Sequence, residues 1–482
     1  MRIPNLIKNS AIYSFVTVLQ KGIMFFLLPV YTAFLSPQDY GVLNVVTSIS
    51  SFISIFVLFS LNASATRFYY QNKDPEYSKN LWGTLTSFVV VNSIVIGTLF
   101  ISLHRYFIDP FIGEINFYPL MFFGIVNVIL SPLYLFFQTY LQTLQKGSFY
   151  GINSLIYFIF QVSLVILFLT IFNLGVLGVL LANVITSVVF FIYVGFVFLK
   201  KIKLGIKRII LKPALIYALP LLPHSLAAWT SGVLDRLLLN DMAGKAQTGL
   251  YSAGQQFGGM VGIVTSAANQ AFAPWFFQKE SEGERGIRQI KQVGELLVIV
   301  YCFIALFISL FSKEILDLMV AKQFRSIYTI IPILAFANVF QGLYFIFVNV
   351  LFLKHTQNVF YVTLLDSVIN LTLNLILIPI WGIWGVVTAS FVTLFFRSVF
   401  ALILSMKKNK LIRFNWKRMY FYVTFFFLIS FISKLLLTLN LFLIILIKFG
   451  VLSIMLLIFY SVYKKSVDLI LSSLWLKLVR HK

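Results

Sequence analysis

Long, continuous apolar runs recur along the whole chain and constrain its fold more than any other feature. Hydrophobic residues make up 60% of the sequence and charged residues only 11%. Soluble domains have about 45–50% apolar residues and about 25% charged residues. A run of roughly 20 apolar residues crosses a bilayer as a helix. The runs do not alternate in the way that membrane β-strands do. The sequence therefore predicts an all-α integral membrane protein.

About fourteen transmembrane helices are predicted, and the positions of Lys and Arg test that number. The expected helix bounds are 10–34, 40–63, 81–103, 117–143, 150–172, 175–199, 214–239, 248–274, 295–312, 327–353, 358–378, 382–405, 419–438 and 441–463. Cytoplasmic loops are enriched in Lys and Arg. With the N-terminus inside, 28 of the 38 basic residues lie in inner segments and 5 in outer loops. Both termini are therefore expected in the cytoplasm, and the net charge of +23 requires no nucleic acid partner.

Two segments repeat at nearly the same interval along the sequence. GVLN at 41–44 lies 208 positions before GLYS at 249–252, and NLGVLGVLLANVIT at 173–186 lies 207 positions before IWGIWGVVTASFVT at 380–393. Repeats of this kind form two halves of a transporter, with the substrate site between them. We therefore predict two pseudo-symmetric six-helix lobes around a central cavity.

These repeats divide the chain into four parts. They are an N-lobe at 1–199, a basic cytoplasmic linker at 200–212, a C-lobe at 213–405, and two extra helices with a basic cytoplasmic tail at 406–482.

The stretch from Ala218 to Gly262 opens the second half and contains residues that are unusual in a membrane helix. Pro220 and Pro223 predict a kink, which membrane helices tolerate when neighbouring helices satisfy the freed carbonyls. A break is expected at 240–247. Three glycines at every fourth position then predict a flat ridge that another backbone can approach: Gly254, Gly258 and Gly262.

Charged side chains inside membrane helices are costly and are therefore the first candidates for a functional site. Bases outnumber acids there: Lys21, Arg236, Arg397, Lys434 and Lys448 against Asp235 and Asp366. This excess predicts a cavity that receives an anionic ligand. Lys21, near the middle of the first helix, is the strongest candidate for that contact. The alternative is that Lys21 pairs with a carboxylate on a neighbouring helix.

The other charged residues leave two interpretations open. Asp235 and Arg236 are adjacent and so do not face each other on a helix; each serves either the substrate or the structure. Arg397 and Asp366 either line the cavity or form an ion pair between two helices. Lys434 and Lys448 lie nearer to helix ends and are expected to extend towards the headgroups.

Four amides on the eighth predicted helix are further candidates for the site: Gln255, Gln256, Asn269 and Gln270. They could bind sugar hydroxyls or join helices to one another. The sequence contains neither G-x-x-x-x-G-K-[ST] nor H-E-x-x-H, so no metal, no cofactor and no enzymatic activity are expected.

Several motifs together resemble the polysaccharide transporter (O-antigen flippase) family of the multidrug/oligosaccharidyl-lipid/polysaccharide exporter superfamily. They are NLIKNSAIYS, PVYTAFLSPQDYGVLN (29–44), NASATRFYY (62–70), LDRLLLN (234–240), GLYSAGQQ (249–256) and WGIWGVVTAS (381–390). The resemblance covers the whole chain. Arg67, Asp235 and Arg236 match recurrent positions of these motifs.

The resemblance implies a flippase for lipid-linked oligosaccharides. Such a protein moves undecaprenyl-diphosphate-linked repeat units of O-antigen, capsule or another surface polysaccharide from the inner to the outer leaflet of the bacterial plasma membrane, by alternating access. Membrane lipids, a polysaccharide polymerase and glycosyltransferases are the implied partners. H⁺ or Na⁺ would be the coupling ion.

Three other classes compete with this interpretation. A peptidoglycan-precursor flippase of the same superfamily tends to have several arginines in the first two helices, where this chain has only Lys21 and Arg67. A drug or cation antiporter requires an acidic cavity, and the excess of intramembrane bases argues against one. A membrane-embedded glycosyltransferase or polymerase usually needs acidic catalytic groups and large outer loops, whereas the outer loops predicted here are short.

Overall fold

The computed structural model describes residues 25, 27–72, 74–354, 357–409, 411–431, 443–457 and 459. These residues form helices and no strand, which confirms the predicted all-α class. The α-helices of seven or more residues are, in chain order, Leu28–Phe34 (α1), Pro37–Leu58 (α2), Leu61–Gln71 (α3), Pro75–Ser102 (α4), Phe122–Thr143 (α5), Gly147–Thr170 (α6), Gly175–Phe198 (α7), Arg208–Ala218 (α8), Leu222–Ala243 (α9), Lys245–Glu280 (α10), Glu284–Met319 (α11), Ile331–Lys354 (α12), Gln357–Trp381 (α13), Ile383–Lys408 (α14), Trp416–Ser430 (α15) and Leu443–Leu457 (α16).

Within the described part of the chain, nine helical segments are long and apolar enough to cross a membrane. They are Pro37–Gln71, Pro75–Ser102, Phe117–Thr143, Gly147–Thr170, Gly175–Lys201, Glu284–Met319, Ile331–Phe352, Gln357–Trp381 and Ile383–Lys408. The protein is therefore a multi-pass membrane protein. The count of fourteen stays a prediction, because the first and last predicted helices fall partly on residues that are not described. Helices α9 and α10 are long enough but less apolar.

A break divides the helix predicted at 40–63 into α2 and α3. Phe59 and Ser60 have positive φ angles of 49° and 53°, a conformation uncommon outside glycine. The Asn92 side chain of α4 donates hydrogen bonds of 2.8 Å to the carbonyls of Phe56 and Val57. Asn92 thus satisfies carbonyls at the end of α2. The break is explained by this contact with a distant residue, because the sequence has no proline or glycine at this position.

The kink predicted from two prolines is confirmed. Helix α8 ends at Ala218, a 3₁₀ turn follows at Leu219–Leu221, and α9 begins at Leu222. Pro220 lies in the turn and Pro223 in the first turn of α9, where a missing N–H costs nothing. The break predicted at 240–247 is narrower than expected, because only Gly244, with φ of 85°, separates α9 from α10.

The first repeat brings its two members into direct contact. A Cβ atom on Gly41 would overlap the carbonyl oxygen of Lys245, and one on Gly249 would overlap the carbonyl oxygen of Pro37. Pro37 and Lys245, like Gly41 and Gly249, are 208 positions apart. Helices α2 and α10 therefore present equivalent positions to each other, as in an isologous contact about a two-fold axis.

The second repeat recurs as a backbone conformation. Gly175 and Gly382 stand just before or at the start of equivalent helices, with φ of 54° and 53°. Three residues later, a Cβ on Gly178 would press on Phe168, and one on Gly385 on Leu377, in the preceding helix of each pair. Both repeated segments thus fold as the same tight helix–turn–helix.

By its contacts the chain forms two compact units. The first comprises Met1–Ala253, Met319–Phe324 and Thr363–Ala389, and the second comprises Gly254–Leu318, Arg325–Val362 and Ser390–Lys482. Aromatic side chains form much of the core of the first unit, including the fully buried Trp82, Phe136 and Phe137. The predicted lobe limits follow the sequence repeat rather than these contacts, and they stay a prediction.

In the second unit, the predicted glycine ridge packs against α12 and the residue just before it. A Cβ on Gly254 would lie 2.8 Å from Cδ1 of Ile330, and one on Gly258 3.0 Å from the carbonyl carbon of Leu334. A Cβ on Gly262 would overlap the Asn338 side chain. The partners have the same four-residue spacing as the glycines, which confirms the close backbone approach expected of such a ridge.

Lys448 does not extend to the headgroups as predicted. Its side chain is buried, and its Nζ lies 2.7 Å and 2.9 Å from the two carboxylate oxygens of Glu314. Helix α11 runs to Met319, beyond the predicted end at 312, and so carries Glu314 within reach. A buried ammonium needs such a partner. The prediction for Lys434 falls outside the described residues.

Candidate functional site

An uncharged polar groove of about 230 Å³ lies within the first unit, among α2, α5 and α7. All three helices belong to segments that are apolar enough to cross a membrane. The polar lining consists of Thr47, Ser50, Ser51, Ser54, Asn127, Ser131 and Asn183. The groove is therefore a concentration of hydroxyl and amide groups within the spanning part of the chain.

The helical period explains why these side chains meet. On α2 the four lining residues stand at 47, 50, 51 and 54, so they share one face of the helix. Asn127 and Ser131 of α5 are four residues apart, as are Asn183 and Ser187 of α7. Three helices thus each present a polar face to the same space.

Hydrogen bonds behind the groove orient its amides. Ser187 Oγ donates to Asn127 Oδ1 and Gln161 Nε2 donates to Asn183 Oδ1, each over 2.6 Å. Neither Nδ2 group donates a hydrogen bond to another described residue. They can therefore donate to a ligand in the groove.

The α2 side of the groove is also held in place and also has spare capacity. Trp229 Nε1 of α9 donates to Ser51 Oγ over 3.0 Å and contacts the Ser48 carbonyl oxygen at 3.2 Å. Ser50 Oγ is buried and has no hydrogen-bond partner in the described chain. Gly124 allows α5 to pack closely against α2 at this point, since a Cβ on Gly124 would lie 2.8 Å from Ser50 Oγ.

This arrangement suits a neutral, hydroxyl-rich ligand. The described lining contains no charged side chain, so the groove offers weak donors and acceptors rather than an ionic contact. Its volume is below the roughly 300 Å³ at which drug-sized pockets begin, so it accommodates part of a larger ligand. Among the residues that the structure describes, no group of His, Cys, Asp and Glu could hold a metal ion.

Asp235, predicted as a substrate contact, belongs to a buried hydrogen-bond network. Its two carboxylate oxygens accept from Tyr251 Oη over 3.0 Å and from Asn374 Nδ2 over 2.7 Å. Asn374 Nδ2 also donates to Asn370 Oδ1 over 3.1 Å. The network connects α9, α10 and α13 within the first unit. The carboxylate of Asp235 therefore helps to join these helices.

The other predicted residues of the first unit lie in different surroundings. Arg67 is exposed, and its guanidinium carbon lies 4.4 Å from the ring centre of Tyr217, a cation–π distance. Arg236 is half-buried, and its Nε has no hydrogen-bond partner in the described part of the chain. Asp366 is buried.

In the second unit, two predicted residues contact side chains that the sequence did not single out. Arg397 donates to Gln341 Oε1 over 3.2 Å and stacks 3.9 Å from the ring centre of Tyr344. Asn269 Oδ1 accepts from Asn349 Nδ2 over 2.9 Å, which favours the helix-joining interpretation for this amide. Gln255 and Gln256 are half-buried, and Gln270 is exposed.

Two predictions have no structural outcome. Lys21 lies outside the described residues, so its contact with an anion stays a prediction. Asp366 belongs to the first unit and Arg397 to the second, and their ion pair likewise stays a prediction.

The polar groove was not predicted from the sequence, because the site candidates were chosen first among charged residues and the described lining of the groove contains none. Its signal was nevertheless present. TSISSFIS at 47–54 places hydroxyls on one helical face within an apolar run, and two other helices carry polar residues four apart.

An all-helical, multi-pass membrane protein with an internal repeat and a polar groove among its spans has the architecture of a secondary transporter. Its fold matches two solved transporters. With the lipid II flippase MurJ in an inward closed conformation, the TM-score is 0.72 at 14% identity, over 94% of this chain and 99% of that chain. With a multidrug resistance MATE family transporter in an inward-facing conformation, it is 0.59 at 14% identity, over 82% and 98%.

Sequence comparison identifies the family. The family described as Polysaccharide biosynthesis protein matches residues 6–280, more than half of the chain, and the chain therefore belongs to it. Protein 1 of the Lsg locus of Haemophilus influenzae is 24% identical over 359 residues, which are 72% of this chain and 84% of that relative. The resemblance inferred from the motifs is confirmed at this level.

Proposed function

We propose that the protein is a flippase for undecaprenyl-diphosphate-linked oligosaccharides. It moves the repeat units of O-antigen, capsule or another surface polysaccharide from the inner to the outer leaflet of the bacterial plasma membrane, by alternating access. No bond of the substrate is made or broken, because the same lipid-linked molecule leaves on the other side.

The polar groove is the observation on which this proposal rests. An oligosaccharide that crosses a bilayer loses its water and needs hydrogen-bond partners for its hydroxyls. The Nδ2 groups of Asn127 and Asn183, which donate to no other described residue, and the hydroxyl of Ser50 supply donors and acceptors without charge. Family membership supports a role in polysaccharide biosynthesis, and the fold is one that transporters use.

Basic groups in the membrane supply the other part of the proposal. The diphosphate carries negative charge, and Arg236 is a half-buried cation whose Nε has no hydrogen-bond partner among the described residues. Lys21 is the second candidate, on sequence grounds. A cation that lacks a protein carboxylate is less costly in a membrane when an anionic substrate approaches it.

Reconstitution tests the proposal directly. Purified protein is placed in liposomes that contain a fluorescently labelled undecaprenyl-diphosphate oligosaccharide in both leaflets. A membrane-impermeant reagent then bleaches the outer label. We expect the bleached fraction to rise from about half towards completion only with protein, since flipping exposes the inner pool. Transport of lipid II in the same assay without transport of the oligosaccharide would refute the proposal in favour of a peptidoglycan-precursor flippase.

Variants connect this activity to the groove. Asn127→Leu together with Asn183→Leu removes both amides, and with them the oxygens that accept from Ser187 and Gln161; we expect slower flipping per amount of folded protein. Thr139→Val is the matched control on α5, because the Thr139 hydroxyl donates to its own helix at Leu135 and lies outside the groove. If the control slows flipping as much as the double variant does, the groove has no specific role in transport.

The proposed orientation has its own test. Both termini and the linker at 200–212 are expected in the cytoplasm. Topology reporters fused after Lys212 and after Lys408 should both report a cytoplasmic location. A periplasmic signal from either fusion would contradict the fourteen-helix arrangement.

A further inference from the structure

A second cavity, of about 460 Å³, lies elsewhere in the first unit, where α3 ends, α4 begins and α7 runs into the basic segment that follows it. Its volume falls within the roughly 300–1,000 Å³ of small-molecule sites. Its aromatic and basic lining includes Tyr69, Tyr70, Lys79, Trp82, Tyr140 and Lys201. The chemistry of this lining differs from that of the uncharged groove.

Aromatic rings form one wall of the cavity. Trp82 is fully buried and packs edge to face with Tyr140, at 5.1 Å between ring centres, and tilted against Tyr69, at 6.5 Å. Trp82 Nε1 is buried and has no hydrogen-bond partner among the described residues. Buried donors of this kind are rare in proteins, and an oxygen of a ligand in the cavity would provide the missing acceptor.

Two ammonium groups at the cavity have no acidic partner. Lys79 and Lys201 are exposed and form no ion pair with a described carboxylate, and the described lining contains no Asp or Glu. The nearby Glu76 forms an ion pair with Lys203, whose Nζ lies 2.7 Å from its carboxylate. The cavity is therefore positively charged.

The segment that carries Lys201 is fixed against α4 by its backbone. The amide N–H of Lys203 donates to the Lys79 carbonyl over 3.1 Å, that of Gly205 to Ser87 Oγ over 3.2 Å, and that of Lys207 to Thr84 Oγ1 over 3.3 Å. Gly83 permits this contact, because a Cβ there would overlap the Lys203 carbonyl oxygen. The two lysines are thus held beside a preformed cavity.

The position of the cavity favours a lipid headgroup as the ligand. It lies at the ends of apolar helices, on the side where the charge distribution predicts the cytoplasm. Tyr and Trp are enriched at the level of the headgroups, and basic pockets between helices on that side bind anionic headgroups. We propose that this cavity is a separate binding site for a phosphate-bearing sugar or polyol headgroup of a lipid in the inner leaflet.

Two lipids share this chemistry: an anionic phospholipid such as phosphatidylglycerol, and a polyprenyl-diphosphate sugar. Native mass spectrometry of the purified full-length protein measures the binding of each, with phosphatidylcholine as the neutral reference. We expect Lys79→Gln combined with Lys201→Gln to weaken binding about tenfold. Trp82→Phe, which replaces the indole by a smaller aromatic ring and removes the N–H, should weaken binding less.

A matched control separates the cavity from general surface charge. Lys200→Gln with Lys212→Gln removes the same charge from the same basic region, but neither residue lines the cavity. Gly83→Ala is an independent variant that displaces the segment without changing charge, and it should also weaken binding. Thermal melting of each variant confirms that it is folded.

The outcomes decide both the site and the source of its ligand. Loss of affinity for phosphatidylglycerol alone assigns the site to a bulk lipid, loss for the diphosphate-linked sugar alone to the transported lipid, and loss for both to their shared phosphate. Unchanged affinity in the cavity variants, or equal loss in the control, overturns the proposal. Binding is measured without transport, so failure of the flipping assay would count against the proposed function and not against this site.

Discussion

Adjacent glycines on α10 offer a test of the packing of the second unit. Gly258 and Gly259 are neighbours in sequence but point in different directions. A Cβ on Gly258 would lie 3.0 Å from the Leu334 carbonyl carbon and 3.1 Å from the Ala335 nitrogen, whereas a Cβ on Gly259 would meet nothing within 4 Å. Gly258→Ala and Gly259→Ala are therefore the same chemical change in two opposite environments.

The expected cost at Gly258 follows from these distances. Ordinary contacts of a Cβ lie at 3.4–4 Å. The obstructing atoms are Leu334 Cβ, which a Cβ on Gly258 would overlap, and the backbone beside it, and none of them can rotate away. Helix α12 must therefore retreat by roughly an ångström, and a gap of about 0.5–1 Å forfeits a quarter to a half of each dispersion contact along the ridge. Overpacking of this kind typically costs about 1–3 kcal/mol.

Gly259→Ala should change the free energy of unfolding in the opposite direction, or not at all. Alanine is favoured over glycine in a helix interior by up to about 1 kcal/mol, so Gly259→Ala should leave the free energy of unfolding unchanged or raise it. Gly254→Ala should fall between the two, because the Cδ1 end of Ile330 can move aside.

Steric trapping in bicelles measures the free energy of unfolding of a membrane protein without detergent denaturation. We expect the order of stability to be Gly259→Ala, then Gly254→Ala, then Gly258→Ala. If Gly258→Ala is as stable as Gly259→Ala, the ridge does not make the close contact described, and the four-residue spacing of the glycines does not mark a packing surface.

Three further predictions concern single contacts. Gly41→Ala and Gly249→Ala should each destabilise the protein, and the double variant should cost less than their sum, because either Cβ already separates α2 from α10; additive losses in thermal melting would contradict a shared crossing. Lys448→Met should cost about 3 kcal/mol by leaving the Glu314 carboxylate unpaired, and adding Glu314→Gln should recover most of that loss. Lys21→Glu should abolish flipping at normal protein abundance, since charge reversal replaces an attraction of about 4 kcal/mol by a repulsion; normal surface glycan in that variant would exclude Lys21 as a substrate contact.

Features that depend on local backbone chemistry could be predicted from the sequence. The kink at Pro220 and the ridge of Gly254, Gly258 and Gly262 both belong to residues whose conformational limits are intrinsic. Such residues behave in the same way whatever packs against them.

Features that depend on a distant partner could not be predicted. The break at Phe59 and Ser60 is explained by Asn92, and the position of Lys448 by Glu314, which lies 134 residues away. The polar groove needs side chains from three helices. In a lipid environment the outward face of a helix is as apolar as the inward face, so hydrophobic periodicity does not reveal which face is inside.

The two proposed sites differ in a way that transport requires. A ligand must bind well enough to enter a translocation path but weakly enough to leave it. Two unit charges about 4 Å apart interact by roughly 4 kcal/mol at an effective dielectric near 20 and by about 1 kcal/mol in water, so a cation among the helices, such as the candidates Arg236 and Lys21, holds a phosphate more strongly than a cation at the surface and adds a penalty to its release. Uncharged donors such as Asn127 and Asn183 hold hydroxyls without that penalty on release. Lys79 and Lys201 are exposed, at the level where water and salt screen their charge, and there a phosphate can be captured and still exchange.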